Sequence, residues 1–235
     1  MLHPTNRVDL GEFSTCRSVL LLLTAIVMVY ANSLDCGWHY DDYHNIVDNP
    51  FIKIESLEWD ALGKVVTQGD QRPGRIARPL AYLSFALNHL HGGLAVQGYH
   101  LVNLWIHFLT SVVVLLLIQA ILRLPQLATV YGPRAGHIAL LAAFFWALHP
   151  LNVTAVTYIV QRMASMAALF YLLAMLCYVK GRMRRSVSWR MTLFALCGVF
   201  GLAGLATKEN AAMLPITLIA LELFFLQPAD AELPL

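Results

Sequence analysis

Between Arg78 and Arg123 the chain contains no Asp, Glu, Lys or Arg, and shorter windows of the same kind lie at 18–34, 136–148, 163–179 and 191–206. Ionised side chains are costly at the centre of a bilayer, so such windows mark membrane-crossing segments more directly than helix propensity does. Composition agrees, since 58% of the residues are hydrophobic and only 13% charged, with a mean hydropathy of +0.62. A soluble domain of this size cannot hide so much apolar surface, and a disordered chain would carry far less of it. The bilayer is therefore part of this protein's solvent. The expected fold class is all-α: a polytopic membrane protein with about six transmembrane helices and a large first outer loop containing interfacial helices.

The first span is expected at 18–34, closed by Arg17 and Asp35. Roughly 17 to 25 apolar residues, rising 1.5 Å each, cover a hydrocarbon layer of ~30 Å. A cleaved signal peptide is the other reading of this segment, given the small residues around Ala31 to Ser33. The window after Arg78 is too long for one helix and is divided by Gly92 and Gly93. That division predicts an amphipathic interfacial helix over 79–91 and a second span over 99–122, with 35–98 as the first outer loop. A third span is expected at 136–148, stopping at His149-Pro150 because proline cannot continue a helix. Its shortness calls for an earlier start or local thinning of the bilayer. Spans over 163–179, 191–206 and 211–226 complete the set.

Between the fourth and fifth spans lie Lys180, Arg182, Arg184, Arg185 and Arg190 without an acidic residue, which marks that loop as cytoplasmic by the positive-inside rule. Alternation then puts Arg7, Arg17, Arg123 and Arg134 inside, and the 35–98 loop, the 149–162 segment and Lys208-Glu209 outside. The basic residues of the long outer loop do not upset this assignment, because loops above ~60 residues escape the rule. The net charge of +2 is small, and no basic run is interleaved with aromatics, so nucleic acid is not an expected partner. Cys16, Cys36, Cys177 and Cys197 lack metal-ligand spacing and read as small hydrophobes.

By this topology the notable polar residues fall on one face of the membrane: Asp41, Asp42, Arg72, Arg75, Arg78, His100, Asn103, His107, His149, Gln161, Arg162, Lys208 and Glu209. Taken singly, each reads as a solvated or interfacial residue. Taken together, Arg162, Lys208 and Glu209 begin or end apolar helices with few other charges nearby, which predicts a wet cavity shared by the helix ends. The pair Asp41-Asp42 can supply a general base for an attacking hydroxyl or a metal site, and can equally be a turn. The flanking aromatics favour partial burial, where a carboxylate pKa would matter. Arg78, Arg162 and Lys208 suit a lipid phosphate, the arginines as planar donor forks and the lysine as a point charge. If a phosphate also leaves, those cations stabilise the charge that develops on it. The other reading is snorkelling toward anionic headgroups, which is preferred for Arg72 and Arg75.

The string Tyr40-Asp41-Asp42 with Ile46 and Asn49, then Arg78-Pro79-Leu80 with Ser84-Phe85 and Leu87-Asn88, then Gly98-Tyr99-His100-Leu101-Val102-Asn103 with His107, resembles the first half of the transmembrane and tetratricopeptide-repeat O-mannosyltransferases and their bacterial relatives. His149-Pro150 with Ala155-Val156 and Arg162 is similar to that family's second outer loop, and Thr207-Lys208-Glu209 with Leu214 to the start of its sixth span. The resemblance implies a GT-C glycosyltransferase fold, here truncated. It implies inverting transfer of a sugar, mannose among the candidates, from a polyprenyl-phosphate donor to a hydroxyl on the outer face, with protein Ser/Thr as acceptor. It places the base at Asp41 with Asp42 beside it; the donor phosphate is expected at Arg78, Arg162 and Lys208, and further site candidates are His100, Asn103, His149, Gln161 and Glu209. The implied partners are the lipid-linked sugar, a protein acceptor and membrane lipids, and no cofactor is identified, with a divalent metal left open. Thr154 stands where animal members have an acidic residue, and Gln161-Arg162 where they have Gly-Arg. Those departures suggest a bacterial branch, hence a bacterial inner membrane with the N-terminus inside. The chain stops at Gln227-Pro228-Ala229-Asp230 and beyond, with no repeat of ~34 residues, which predicts a fragment of a longer protein.

Two other classes compete with a glycosyltransferase. A transporter or flippase subunit would also place charges at helix ends, but should show ionisable residues near the midplane, where the sequence offers only Glu222, His107 and Gln119. A non-catalytic assembly protein sharing the fold is the third.

Overall fold

The computed structural model describes residues 14–72, 74 and 76–226. Arg7, Arg75 and the 227–230 segment lie outside the described residues. In chain order the helices are α1 (Thr15–Tyr30), α2 (Trp59–Gln68), α3 (Pro79–Gly92), α4 (Val96–Leu122), α5 (Pro125–Tyr131), α6 (Ala135–Ala147), α7 (Val153–Thr157), α8 (Arg162–Arg182), α9 (Val187–Leu205) and α10 (Leu214–Leu221). No strand occurs among the described residues, and the fold is an all-α polytopic one.

Local chemistry sets most boundaries. Pro79 and Pro125 each open a helix, where the missing N–H costs nothing. Gly93, with φ of 58°, ends α3 in a conformation that few other residues tolerate. Lys180 and Arg182 sit in the last turn of α8, facing the negative end of its dipole.

Among the described residues, five segments are long and apolar enough to cross a membrane: Thr15–Asp35, Val96–Leu122, Ile159–Arg182, Val187–Leu205 and Glu209–Leu226. The sixth candidate is a broken one, because Pro125–Ala147 and Pro150–Thr157 meet at 54°. The helix at 136–148 therefore gains length from α5 before it and bends at Pro150 after it. Glu222, expected well inside the last span, instead reaches Arg182 and the Tyr178 hydroxyl at the far end of α8.

Helix α4 is the axis of the bundle. Sixty-one per cent (61%) of its apolar window is buried, against 11% for α9. Leu22 and Ile26 of α1 and Ala139 and Ala143 of α6 pack on one side of α4, and Leu169 and Leu176 of α8 on the other. In lipid there is no hydrophobic force between helices, so close packing and small residues carry their association. Gly181 illustrates this, since a Cβ there would lie 2.7 Å from the Phe194 ring of α9. The 35–98 segment is held differently. Ile46, Ile52, Val65, Tyr82, Phe85 and Ile159 form a water-excluding core under α2 and α3, where each large side chain contributes ~1.5–3 kcal/mol on burial. That core clamps the loop onto the ends of α4 and α8.

Candidate active site

The two neighbouring aspartates have opposite surroundings. Tyr40 has φ of 37°, in the left-handed region that an aromatic residue enters only when its neighbours hold it there. The turn that follows buries Asp42 completely and leaves Asp41 exposed. Asp42 Oδ1 accepts the Val160 N–H at 2.7 Å and Oδ2 accepts the His39 N–H at 3.0 Å. Burial pushes the Asp42 carboxyl above the ordinary carboxylate range, and the two N–H donors with His39 and His100 pull it back in part. Asp41 is held through its backbone: its N–H donates to the Tyr158 hydroxyl at 2.9 Å, and its carbonyl accepts from Asn45 Nδ2 at 2.8 Å. One carboxylate is an anchor and the other is presented to solvent.

The anchor ties the 39–42 turn to 158–162. There Asn103, from the second turn of α4, donates to the Ile159 carbonyl at 3.2 Å and accepts from Arg162 Nε at 2.7 Å. Arg162 is fully buried. Its Nη1 donates to Asn88 Oδ1 at 2.6 Å and the Ser84 carbonyl at 3.2 Å, and its Nη2 to the Tyr99 carbonyl at 2.8 Å. The guanidinium also lies 4.8 Å from the Phe85 ring centre. Arg162, expected at the donor phosphate, has its guanidinium engaged by neutral oxygens of α3 and α4. The residue is a strut joining three helices beneath the aspartates.

A second cluster lies beside it. Arg78, in the left-handed region with φ of 53°, donates from Nε and Nη2 to Glu209 at 3.1 and 2.7 Å, and its Nη1 approaches Met163 Sδ at 3.7 Å. The adjacent Leu80 N–H donates to the Ala206 carbonyl at 3.0 Å. These bonds dock the start of α3 on the turn between α9 and α10. Lys208 is half-buried in that turn and makes no ion pair among the described residues. Beside it a groove of about 250 Å³ runs between α8 and the turn, lined by Ala167, Ala168, Tyr171, Asn210, Ala211 and Met213.

The remaining candidates divide. His100 is buried, with Nε2 at 3.0 Å from the Cys36 carbonyl, so it fastens the start of the 35–98 segment to α4. His107 is buried deeper in α4, with Nε2 at 2.8 Å from the Ala147 carbonyl and its ring stacked on Trp146. His149 is exposed, and its Nδ1 accepts the Leu151 N–H at 3.2 Å in the bend before α7. Gln161 is half-buried at the start of α8. Among the described residues no three His, Cys, Asp or Glu side chains are grouped so as to hold a metal ion.

Sequence reasoning missed Tyr158, whose phenol holds the Asp41 backbone, and the structural part of Asn88. Asn88 stands in the Leu87-Asn88 motif, but nothing in its spacing announces a partner 74 residues away.

The sequence is similar to several protein O-mannosyl-transferases. It is 33% identical over 187 residues to protein O-mannosyl-transferase tmtc2 of Xenopus laevis, an alignment covering 77% of this chain and 21% of the relative. Identity to TMTC3 of Mus musculus is 30% over 171 residues, covering 71% and 17% respectively. For Tmtc1 of Drosophila melanogaster it is 30% over 208 residues, covering 86% and 22%. The chain thus spans about a fifth of the length of these relatives. No family profile matches the chain, and no solved structure does.

Proposed function

We propose that this chain, a homologue of protein O-mannosyl-transferases over most of its length, carries the transfer site of a membrane glycosyltransferase. The reading is of an inverting GT-C enzyme that moves mannose or a related sugar from a polyprenyl phosphate to a protein Ser/Thr hydroxyl. Transfer takes place on the outer face of a bacterial inner membrane, with the N-terminus inside. The observation that carries it is the division of labour at Asp41-Asp42, an exposed carboxylate set in place by a buried one.

In the proposed step the acceptor hydroxyl gives its proton to Asp41 while its oxygen forms a bond to the anomeric carbon. The bond from that carbon to the phosphate oxygen breaks on the opposite side, and the polyprenyl phosphate leaves with the electron pair. In this reading Lys208 and Arg78 meet that growing negative charge, and the groove beside Lys208 takes the lipid tail. Arg162, Asn103 and Asp42 hold the 158–162 segment so that Tyr158 fixes Asp41. His100 positions the outer loop, and Glu209 orients Arg78.

The test uses the full chain in proteoliposomes with radiolabelled polyprenyl-phosphate mannose and a Ser/Thr-rich peptide. Base-labile label on the peptide is expected, and its absence from a folded, donor-binding preparation contradicts the reading. Sidedness is checked in intact cells, with Cys16 and Cys36 replaced. A cysteine at Ser56 should react with an impermeant thiol reagent and one at Arg184 should not.

A further inference from the structure

Among the described residues three non-glycine residues sit on left-handed backbone: Tyr40 with φ of 37°, Gln71 with 57° and Arg78 with 53°. That conformation is strained for a residue with a Cβ and persists where surrounding contacts impose it. Two of the three have such a contact in their own side chains. Gln71 Nε2 donates to the His44 carbonyl at 2.7 Å, and Arg78 holds Glu209 through two donors. Tyr40 differs. Its turn is closed by backbone bonds, from the Tyr43 N–H to the Tyr40 carbonyl at 3.2 Å and from the Asp42 N–H to the His39 carbonyl at 2.8 Å. Its phenol is 88% exposed and has no hydrogen bond or ring contact among the described residues.

An asparagine or glycine would close the same turn with less strain, so the fold does not account for an aromatic ring at position 40. The ring stands one residue before the exposed Asp41 carboxylate. Tyr43, 48% exposed, follows two residues after Asp41, and the Tyr158 hydroxyl accepts the Asp41 N–H. A Ser/Thr hydroxyl that reaches Asp41 brings its flanking residues onto this surface, each about 3.3 Å further along an extended chain. Exposed tyrosines suit such a segment, because each offers a large amphipathic face with few rotatable bonds to fix and a hydroxyl for a peptide group. In an inverting transfer the base stands on the acceptor side of the sugar, which puts its neighbour Tyr40 on that side too. We propose that the Tyr40 phenol binds the polypeptide acceptor beside its reacting Ser/Thr, an inference that rests on the proposed transfer.

The test compares the full-length parent with Tyr40→Asn, Tyr40→Phe and Trp59→Ala, the last removing an aromatic ring that is equally exposed but lies on α2. Affinity for a fluorescent Ser/Thr-rich peptide is read by anisotropy, and transfer rates are followed against peptide concentration at saturating polyprenyl-phosphate mannose. Tyr40→Asn should raise both the peptide dissociation constant and its KM by about five- to tenfold, with kcat and donor affinity within about twofold. It should also melt at or above the parental temperature, because asparagine enters the left-handed region more easily. Tyr40→Phe and Trp59→Ala should bind peptide within about twofold of the parent. If Tyr40→Asn fails to fold, Tyr40→Gly takes its place with the same expectation for peptide. A lower kcat at unchanged peptide KM would reduce Tyr40 to a support for the Asp41 backbone, and a loss confined to donor affinity would make it a sugar contact; either overturns the inference. So does equal loss in Trp59→Ala, or parental peptide affinity in Tyr40→Asn. A parent that binds peptide through Tyr40 yet transfers no sugar contradicts the proposed transfer and leaves the peptide contact standing.

Discussion

Two helix starts at the same end of this bundle read alike in sequence: Gln161-Arg162 before α8 and Lys208-Glu209 before α10 each set ionisable side chains ahead of an apolar run. Arg162 is fully buried and bonded to Asn103, Asn88, Ser84 and Tyr99, whereas Lys208 is half-buried in a turn whose partner contacts run through Glu209 and Arg78. A basic residue at a helix start can therefore be a structural strut or an available cation, and what decides between them is the oxygen atoms other segments bring. Asp42 and Asp41 repeat the contrast one residue apart.

The largest effect should come from breaking the strut. Arg162→Ala leaves Asn103 Oδ1 and Asn88 Oδ1 without their buried donor, each at about 1–3 kcal/mol, and opens a void where the guanidinium stood. A loss of at least ~3 kcal/mol in detergent unfolding is expected. Arg162→Lys should recover little of it, because a point charge cannot serve a forked set of acceptors. A variant that melts like the parent removes the distinction between the two starts.

Lys208→Ala should do the reverse. Stability should change by less than ~0.5 kcal/mol. Affinity for a lipid-phosphate sugar should fall by ~1.5–3 kcal/mol, roughly ten- to a hundredfold in dissociation constant. Unchanged donor binding would reduce Lys208 to an interfacial anchor.

Glu209→Gln weakens a half-exposed ion pair with Arg78, so a stability loss of at most ~1 kcal/mol, diminishing with added salt, is expected in thermal melts. The smallest effect concerns pH. The folded state raises the Asp42 pKa by burial, so its contribution to stability is fullest below the unfolded carboxylate pKa of ~3.9. That contribution is lost as pH rises through the higher folded value. Asp42→Asn should erase this slope in melting temperature against pH, while costing stability overall because an amide cannot accept both N–H donors with its oxygen. A slope that survives the substitution belongs to another group.

The all-α, multi-span class was legible because charge-free windows report directly on lipid, and a charge in the wrong place is expensive wherever the helices pack. The bend at Pro150 was legible as a stop but not as an angle, since 54° depends on what α7 packs against. The aspartate pair was visible as a motif. That Asp42 is the buried member was not, because alternation of environment between adjacent residues arises from Tyr40 in the left-handed region and from the Val160 N–H across 118 residues. The strut made by Arg162 was hidden for a related reason. Its acceptors are backbone carbonyls and amide oxygens, which are common enough in any sequence to give no signal until the fold gathers them.

The proposed transfer turns on Asp41 being the base rather than another part of the scaffold. Its carboxylate is exposed and its backbone is held by Tyr158 and Asn45, so Asp41→Asn should preserve the fold and the melting temperature. The most direct measurement is single-turnover transfer from a polyprenyl-phosphate sugar to peptide by parent and Asp41→Asn proteins, with donor affinity determined on the same preparations. The carboxylate is needed mainly in the transition state, so transfer should fall by a hundredfold or more, on the order of 10²–10⁴, while donor affinity stays within about twofold. An Asp41→Asn protein that binds donor and transfers sugar at the parental rate would contradict the account.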